Sequence, residues 1–252
     1  MPEPKELQEQ QYNYPYHHIP WESDGIWRPA RVMWWSYEYL ALLEKVTKTV
    51  LSLEPKSVLD FGCGDGRLTL QLLQLSKHIK VVGVDISDRA LMFAKAFCGN
   101  SERVAFYRSI SEIPHNLLPF DVVIAMEVLE HIHPDNLPNV VEQIWKVLRL
   151  DSWFIVSVPT INVPLNPKHY QHFSLDSLQV ALGKRFALLK YEYIHRNGLA
   201  WALIRRVLVN RFVIVNNRLL LSFLTKLYHS LVMTADERNG AHLLAVFRRK
   251  GW

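Results

Sequence analysis

The sequence predicts an α/β protein, with a mostly parallel sheet of seven strands and helices on both of its faces. Three observations carry that expectation. Seven short apolar runs have strand length and turn-like flanks. Segments of helical periodicity lie between most of them. The run at Asp121–Met126 has the continuous apolar character of a strand buried on both faces.

Residues 1–30 are rich in Tyr, His, Trp and Pro and show little periodicity. Tyr12, Tyr14, Tyr16, His17, His18, Trp21 and Trp27 fall close together. Disordered tails are poor in aromatics, so this segment is expected to pack on something. From Arg31 to Leu53 apolar residues recur at helical spacing, which predicts a helix leading into the core. Alternation then begins. Ser57–Asp60 reads as a strand ending in a Gly-rich turn, Arg67–Leu75 as a helix, Val81–Asp85 as a strand, and Ser87–Cys98 as a helix capped by Ser87. Val104–Tyr107 and Asp121–Met126 read as strands, Leu137–Leu148 as a helix, and Trp153–Val158 as a strand stopped by Pro159. Ser174–Leu182 reads as a helix with Ser174 as N-cap, followed by strand Phe186–Ile194. The pattern breaks after Gly198. Leu199–Met233 is mostly helical and basic, and Ala241–Arg248 reads as a final strand. The expected organisation is an aromatic segment and helix over 1–53, a core over 54–195, a basic helical insertion over 196–236, and the last core strand within 237–252.

At 252 residues the chain can bury a full core without staples. With 49% apolar and 21% charged residues its composition is ordinary for a globular protein. Two cysteines, Cys63 and Cys98, cannot make a disulfide framework, which points to a reducing compartment. The polar, acidic start does not read as a secretory signal, and no run suits a spanning helix. A soluble, cytoplasmic protein is expected, at most peripheral to a membrane. Between Lys184 and Lys226 nine Lys or Arg face one acid, Glu192. That excess reads either as a solvated helical face or as attraction to an anionic partner.

The segment Asp60-Phe61-Gly62-Cys63-Gly64-Asp65-Gly66 carries the chemistry. A strand, a Gly-rich turn and a helix make a site for the polar part of a nucleotide-like ligand. A dinucleotide fingerprint needs G-x-G-x-x-G. Here Arg67 stands where its third glycine would be, and the pattern is G-x-G-x-G. The next strand ends in Asp85, whose carboxylate can accept hydrogen bonds from both hydroxyls of a ribose. Its bland alternative is an acid capping the helix after Ser87.

Over about Ser57–Ile194 the order VLDFGCGDG, VVGVDIS, FDVVIAMEVLEHI and WFIVSVP resembles the class I S-adenosylmethionine-dependent methyltransferases. The resemblance implies a Rossmann-like sheet with an antiparallel last strand, a place that AHLLAVFR fits. It implies that Gly62, Cys63, Gly64 and Gly66 line the methionine part of S-adenosylmethionine. Asp60 would then lie near the cofactor's amino group, Asp85 on the ribose and Ile86 against the adenine, with Met126 also at the cofactor. Many members carry an acid after the third strand. This chain has Arg108-Ser109-Ile110-Ser111 there, so Ser109 or a backbone carbonyl takes the adenine-reading role.

After the fourth strand comes Glu127-Val128-Leu129-Glu130-His131, and after the fifth Lys168-His169-Tyr170-Gln171-His172-Phe173. On one helical turn Glu127, Glu130 and His131 share a face. Loops after adjacent parallel strands open at the same edge, so His169 or His172 can meet His131. This pattern resembles the ubiquinone-pathway O-methyltransferases and the small-RNA 3′-terminal 2′-O-methyltransferases. The second resemblance implies Mg²⁺ or another divalent cation held by Glu127, Glu130, His131 and His172. Two other readings stay open: His131, His169 or His172 as a base without metal, and a purely structural turn. The expected function is O-methylation of a hydroxyl on a sugar, glycan or small polar metabolite. The alternatives are an RNA 3′ terminus, a quinone or lipid-like acceptor reached through peripheral membrane contact of the basic insertion, and a non-catalytic cofactor-binding regulator. The N-terminal aromatic segment is read as a lid over the cofactor or as a latch covering the sheet.

Overall fold

The computed structural model describes residues 3–29, 35–210, 212 and 214–251. In chain order the elements are α1 (Pro4–Gln11), β1 (Trp21–Ser23), β2 (Ile26–Arg28), α2 (Ser36–Ser52), β3 (Ser57–Phe61), α3 (Arg67–Leu75), β4 (Lys80–Val84) and α4 (Asp88–Cys98). Then follow β5 (Val104–Tyr107), β6 (Phe120–Met126), α5 (Leu137–Val147), β7 (Leu148–Pro159), α6 (Leu175–Leu182) and β8 (Phe186–Arg196). The chain closes with α7 (Leu199–Leu208), α8 (Arg218–Leu231), β9 (Thr234–Ala235) and β10 (Gly240–Arg249). The start of the helix expected from Arg31, and Arg211 of the basic stretch, lie outside the described residues.

The local reasons for these elements are visible. Ser87 caps α4, its hydroxyl accepting from Ala90 N at 3.2 Å. Ser174 does the same for α6 through Ser177 N at 3.1 Å. Gly66 ends the Gly-rich turn and opens α3. The central strands are buried along their length, Val122, Val123, Ile124 and Ala125 showing no exposure, as strands covered on both faces must be.

The main sheet runs β5-β4-β3-β6-β7-β10-β8-β9. From β5 to β7 all pairs are parallel, whereas β10 is antiparallel to both β7 and β8. The expected antiparallel last strand is therefore present, and it is wedged inside the sheet. The sheet has eight strands among the described residues, one more than the expected seven. The extra strand, β9, pairs only Thr234 and Ala235 with Ile194 and Tyr193. Two residues are too short to show any periodicity.

Helices cover both faces. One core contains residues of α2, α3, β2, α7 and α8, among them Leu42, Leu72, Trp27, Ile204 and Leu224. The other holds α5 and α6 against the opposite face through Ile144, Trp145, Leu178 and Leu182. Two pieces near the N-terminus were not foreseen. α1 buries no residue, so it leaves no apolar pattern. The β1–β2 hairpin turns on Asp24-Gly25, both at positive φ (53° and 69°), a two-residue turn of the primed type. It delivers Trp27, 1% exposed, between Tyr37 and Tyr228, with its backbone N donating to Thr225 Oγ1 at 3.1 Å. The aromatic segment is thus joined to the core and the insertion at once.

Truncating this anchor opens a large cavity. Trp27→Ala is expected to lower unfolding free energy by about 3–5 kcal/mol in urea denaturation followed by circular dichroism. A loss under about 1 kcal/mol would show that the hairpin is not part of the cooperative core.

Candidate functional site

Chain order reverses at β3, which has β4 on one side and β6 on the other. At such a switch point the connections leave in opposite directions and open a crevice at the carboxyl ends of the strands. The Gly-rich turn sits there. Gly62 N and Cys63 N donate to Val84 O at 2.7 and 3.0 Å, which fixes the turn against the end of β4. Gly62 has φ 75°, and a Cβ there would overlap the side chain of Val128. Only a glycine lets the turn after β3 approach the turn after β6. Gly64, at φ 53°, has no room either, because a Cβ would lie 2.8 Å from Tyr12 Oη.

Asp60 is 2% exposed, and its Oδ2 accepts from Thr69 Oγ1 at 2.7 Å. Burial pushes its pKa up to about 6, against the Thr69 hydrogen bond. Asp85 ties the Gly-rich turn to the start of α4. Its Oδ1 accepts from Ser87 N and its Oδ2 from Gly64 N, each at 2.9 Å. Each oxygen keeps a further lone pair for a hydroxyl. Burial raises its pKa against these two bonds. Ile86 is exposed at the rim. Ser109 Oγ lies 2.8 Å from Ser111 Oγ. Met126 ends β6 and packs against the first core.

Asp65 carries a role that the motif alone did not reveal. It is fully buried, and its Oδ2 accepts from His17 N at 3.0 Å while Oδ1 lies 3.1 Å from His17 Nδ1. His18 Nε2 reaches Asp65 O at 2.9 Å. Burial alone would raise the Asp65 pKa, but His17 and His18 together hold it below the ordinary carboxylate value. Tyr12 and Tyr16 are buried with Ala90 of α4. The aromatic segment therefore lies across the Gly-rich turn.

The turn after β6 forms a second cluster. Glu127 is at φ 56°, with its N donating to Ser157 O at 3.0 Å. Its side chain does not converge with Glu130. It accepts from Ser157 Oγ at 3.0 Å and pairs with His242 Nδ1 at 2.9 Å. Glu130, His131 and His169 do converge, each offering a ligand atom within 4.8 Å of the others. Tyr170 N donates to Glu130 O at 2.8 Å and ties the two loops together. His172 stands behind, with Nε2 2.8 Å from His169 Nδ1. The four-residue set expected to hold a metal is thus altered in two members. Glu127 turns toward His242, and His169 takes the inner place expected of His172.

The protons can be assigned by elimination. A carbonyl only accepts, so His131 Nδ1, 3.0 Å from Lys168 O, carries the hydrogen, and Nε2 keeps its lone pair. His172 Nδ1 donates to Val163 O at 3.2 Å, so its Nε2 accepts from His169 Nδ1. His169 Nε2 is then also a lone pair. Burial lowers the pKa of His131, and burial with the adjacent His131 and His172 lowers that of His169 to about 3. Both rings are neutral. Glu130 is 1% exposed, its Oε2 has no hydrogen-bond partner among the described residues, and burial followed by Glu127 holds its pKa well above the carboxylate range.

Residues 58–151 match the family described as "Methyltransferase domain". This segment of the chain is a methyltransferase domain, of the kind that uses S-adenosylmethionine. Over 134 residues it is 33% identical to the ubiquinone biosynthesis O-methyltransferase of Nitrosomonas europaea, covering 51% of this chain and 52% of that protein. Over 127 residues it is 32% identical to the small RNA 2′-O-methyltransferase of Rattus norvegicus, covering 45% of this chain and 31% of that protein. The chain thus spans about half or less of the length of these relatives. The magnesium protoporphyrin IX methyltransferase of Synechocystis PCC 6803 with bound SAH has the same fold, with a TM-score of 0.61 at 14% identity, covering 98% of this chain and all of that one. In a methyltransferase the glycine cradle and the spare lone pairs of Asp85 fit the methionine and ribose parts of the cofactor.

Two expectations follow. Asp60 titrates near pH 6 in the free protein, and a cofactor ammonium beside it would lower that value. Binding of S-adenosylhomocysteine at pH 6 should therefore release protons, and affinity should fall by about tenfold per pH unit below that point. Calorimetry in buffers of different ionisation enthalpy checks this, and a buffer-independent binding heat counts against it. Second, deleting residues 1–19 removes the His17–Asp65 contact and leaves Trp27 in place. It should raise the cofactor dissociation constant by about tenfold, with unfolding still cooperative. An unchanged constant would make the segment a latch only.

Proposed function

We propose that the protein methylates a hydroxyl oxygen of a sugar, glycan or small polar metabolite. One observation carries the reading. Glu130, His131 and His169 bring acceptor groups together beside the Gly-rich turn, with the imidazole hydrogens committed elsewhere. Such a pocket is completed by a proton or a cation. The relatives named above act, by their names, in O-methylation, which supports an oxygen as the methylated atom.

Bound S-adenosylmethionine supplies an electrophilic methyl on sulfur. The chain's residues hold the acceptor in line with it, which can account for much of the rate of a direct displacement. The Nε2 lone pair of His131 or His169 takes the hydroxyl proton as the oxygen–carbon bond forms and the carbon–sulfur pair returns to sulfur. The orphaned Glu130 oxygen and the two imidazoles also suit a divalent cation. Held by these three residues, such a cation would lower the acceptor's pKa.

Labelled-methyl transfer against glycan, quinone and RNA pools, with and without EDTA, tests the reading. Transfer into base-stable products of the glycan or small-polar pool is expected. His131→Ala and His169→Ala should each reduce kcat by about 10²–10⁴-fold while cofactor binding persists. Transfer that survives EDTA would remove the cation. Label entering only RNA or only quinones would replace the acceptor class.

A further inference from the structure

Helices α7 and α8 each bury one side and leave the other bare. α7 buries Trp201, Ile204 and Leu208, and exposes Leu199, Leu203 and Val207 at 78, 58 and 41%. Those three recur every fourth residue, so they form one stripe. α8 buries Leu221, Leu224 and Tyr228, and exposes Leu219, Phe223 and Leu231 at 81, 60 and 47%. The buried side of α8 is already covered by Trp27, whose backbone N donates to Thr225 Oγ1 of that helix. The two helices pack on each other. From Leu199 to Leu231 the chain has five Lys or Arg and no Asp or Glu. A depression of about 510 Å³ on α7 is lined by Ala202, Arg205, Arg206 and Val209. Among the described residues no helix is long and apolar enough to cross a membrane.

We propose that α7 and α8 form a docking face that lays the protein on an anionic lipid bilayer. The apolar stripes enter the boundary between headgroups and acyl chains, and Arg206 and Lys226, both exposed, meet lipid phosphates. Arg218, the first residue of α8, pairs with Asp24 at 3.3 Å. The charge pattern selects the partner. An RNA surface satisfies arginines and lysines but gains little from exposed leucines and valines, whereas a bilayer uses both. The stripes are too short to span and too apolar for a purely solvated face. The inference is independent of which hydroxyl is methylated.

Flotation of the full chain with vesicles tests it. Binding is expected to vesicles containing phosphatidylglycerol and not to phosphatidylcholine alone, and it should weaken with salt. Leu203→Ser with Phe223→Ser should abolish flotation. Arg206→Glu with Lys226→Glu, which spares the apolar stripes, should reduce the bound fraction by about tenfold or more. Both double variants change exposed positions, and their thermal melts and S-adenosylhomocysteine affinity should match the parent. The proposal fails if the parent chain does not float with anionic vesicles, or if both variants float as the parent does. It also fails if the basic face binds single-stranded RNA while leaving vesicles in solution.

Discussion

His242 is held between two acids, and much of the molecule is arranged around that contact. Its Nδ1 lies 2.9 Å from Glu127 Oε2 and its Nε2 3.6 Å from Glu38 Oε2. Burial opposes a charge on this ring, but the two carboxylates prevail and raise its pKa to about 10. Glu38 continues to His195 Nε2 at 3.2 Å, and His195 Nδ1 to Tyr228 Oη at 2.7 Å. His195 is fully buried, and burial lowers it to about 4, so this set pairs an imidazolium at His242 with a neutral imidazole at His195. Removing a member of such a set strands a buried charge, which costs far more than the intact pair contributes. The sign of the linkage is defined. His242 contributes stability fully below its unfolded pKa near 6.5, and that contribution fades as pH rises toward about 10.

The network explains the wiring of the fold. It joins the turn after β6 to β10, α2, β8 and α8. It needs β10 between β7 and β8, because only that position sets His242 beside the end of β6. It also accounts for two strained backbones. Glu127 and His195 both have positive φ, at 56° and 63°, without being glycine. Such conformations cost energy and persist where the surroundings over-determine them. Here the surroundings are ion pairs and hydrogen bonds on both sides of the sheet. Glu127 is thereby turned out of the Glu130–His131–His169 cluster and becomes its support.

Much of the fold was legible locally. Arg67–Leu75 and Val104–Tyr107 were read at their observed bounds, and Ser87 and Ser174 at their observed caps. These features depend on periodicity and on side-chain-to-backbone bonds within a few residues. The β1–β2 hairpin has a local signal in Asp24-Gly25, but its strands are three residues long and show no alternation. α1 and β9 had no usable signal at all. At the site, the placing of Gly62 and Gly64 and the bonds of Asp85 to Gly64 N and Ser87 N follow from short spacings. His17, His242 and Glu38 were out of reach, since their partners lie 48 residues or more away in sequence.

The sequence by itself determined the alternation of strands and helices, the Gly-rich turn and the acid that follows it. Each of these is written in neighbouring residues. Tertiary structure alone decided that β10 enters between β7 and β8, that His169 rather than His172 faces His131, and that the aromatic segment seals Asp65. Those choices are settled by which buried polar groups find partners. Such pairing is a property of the assembled sheet and of no single stretch of chain.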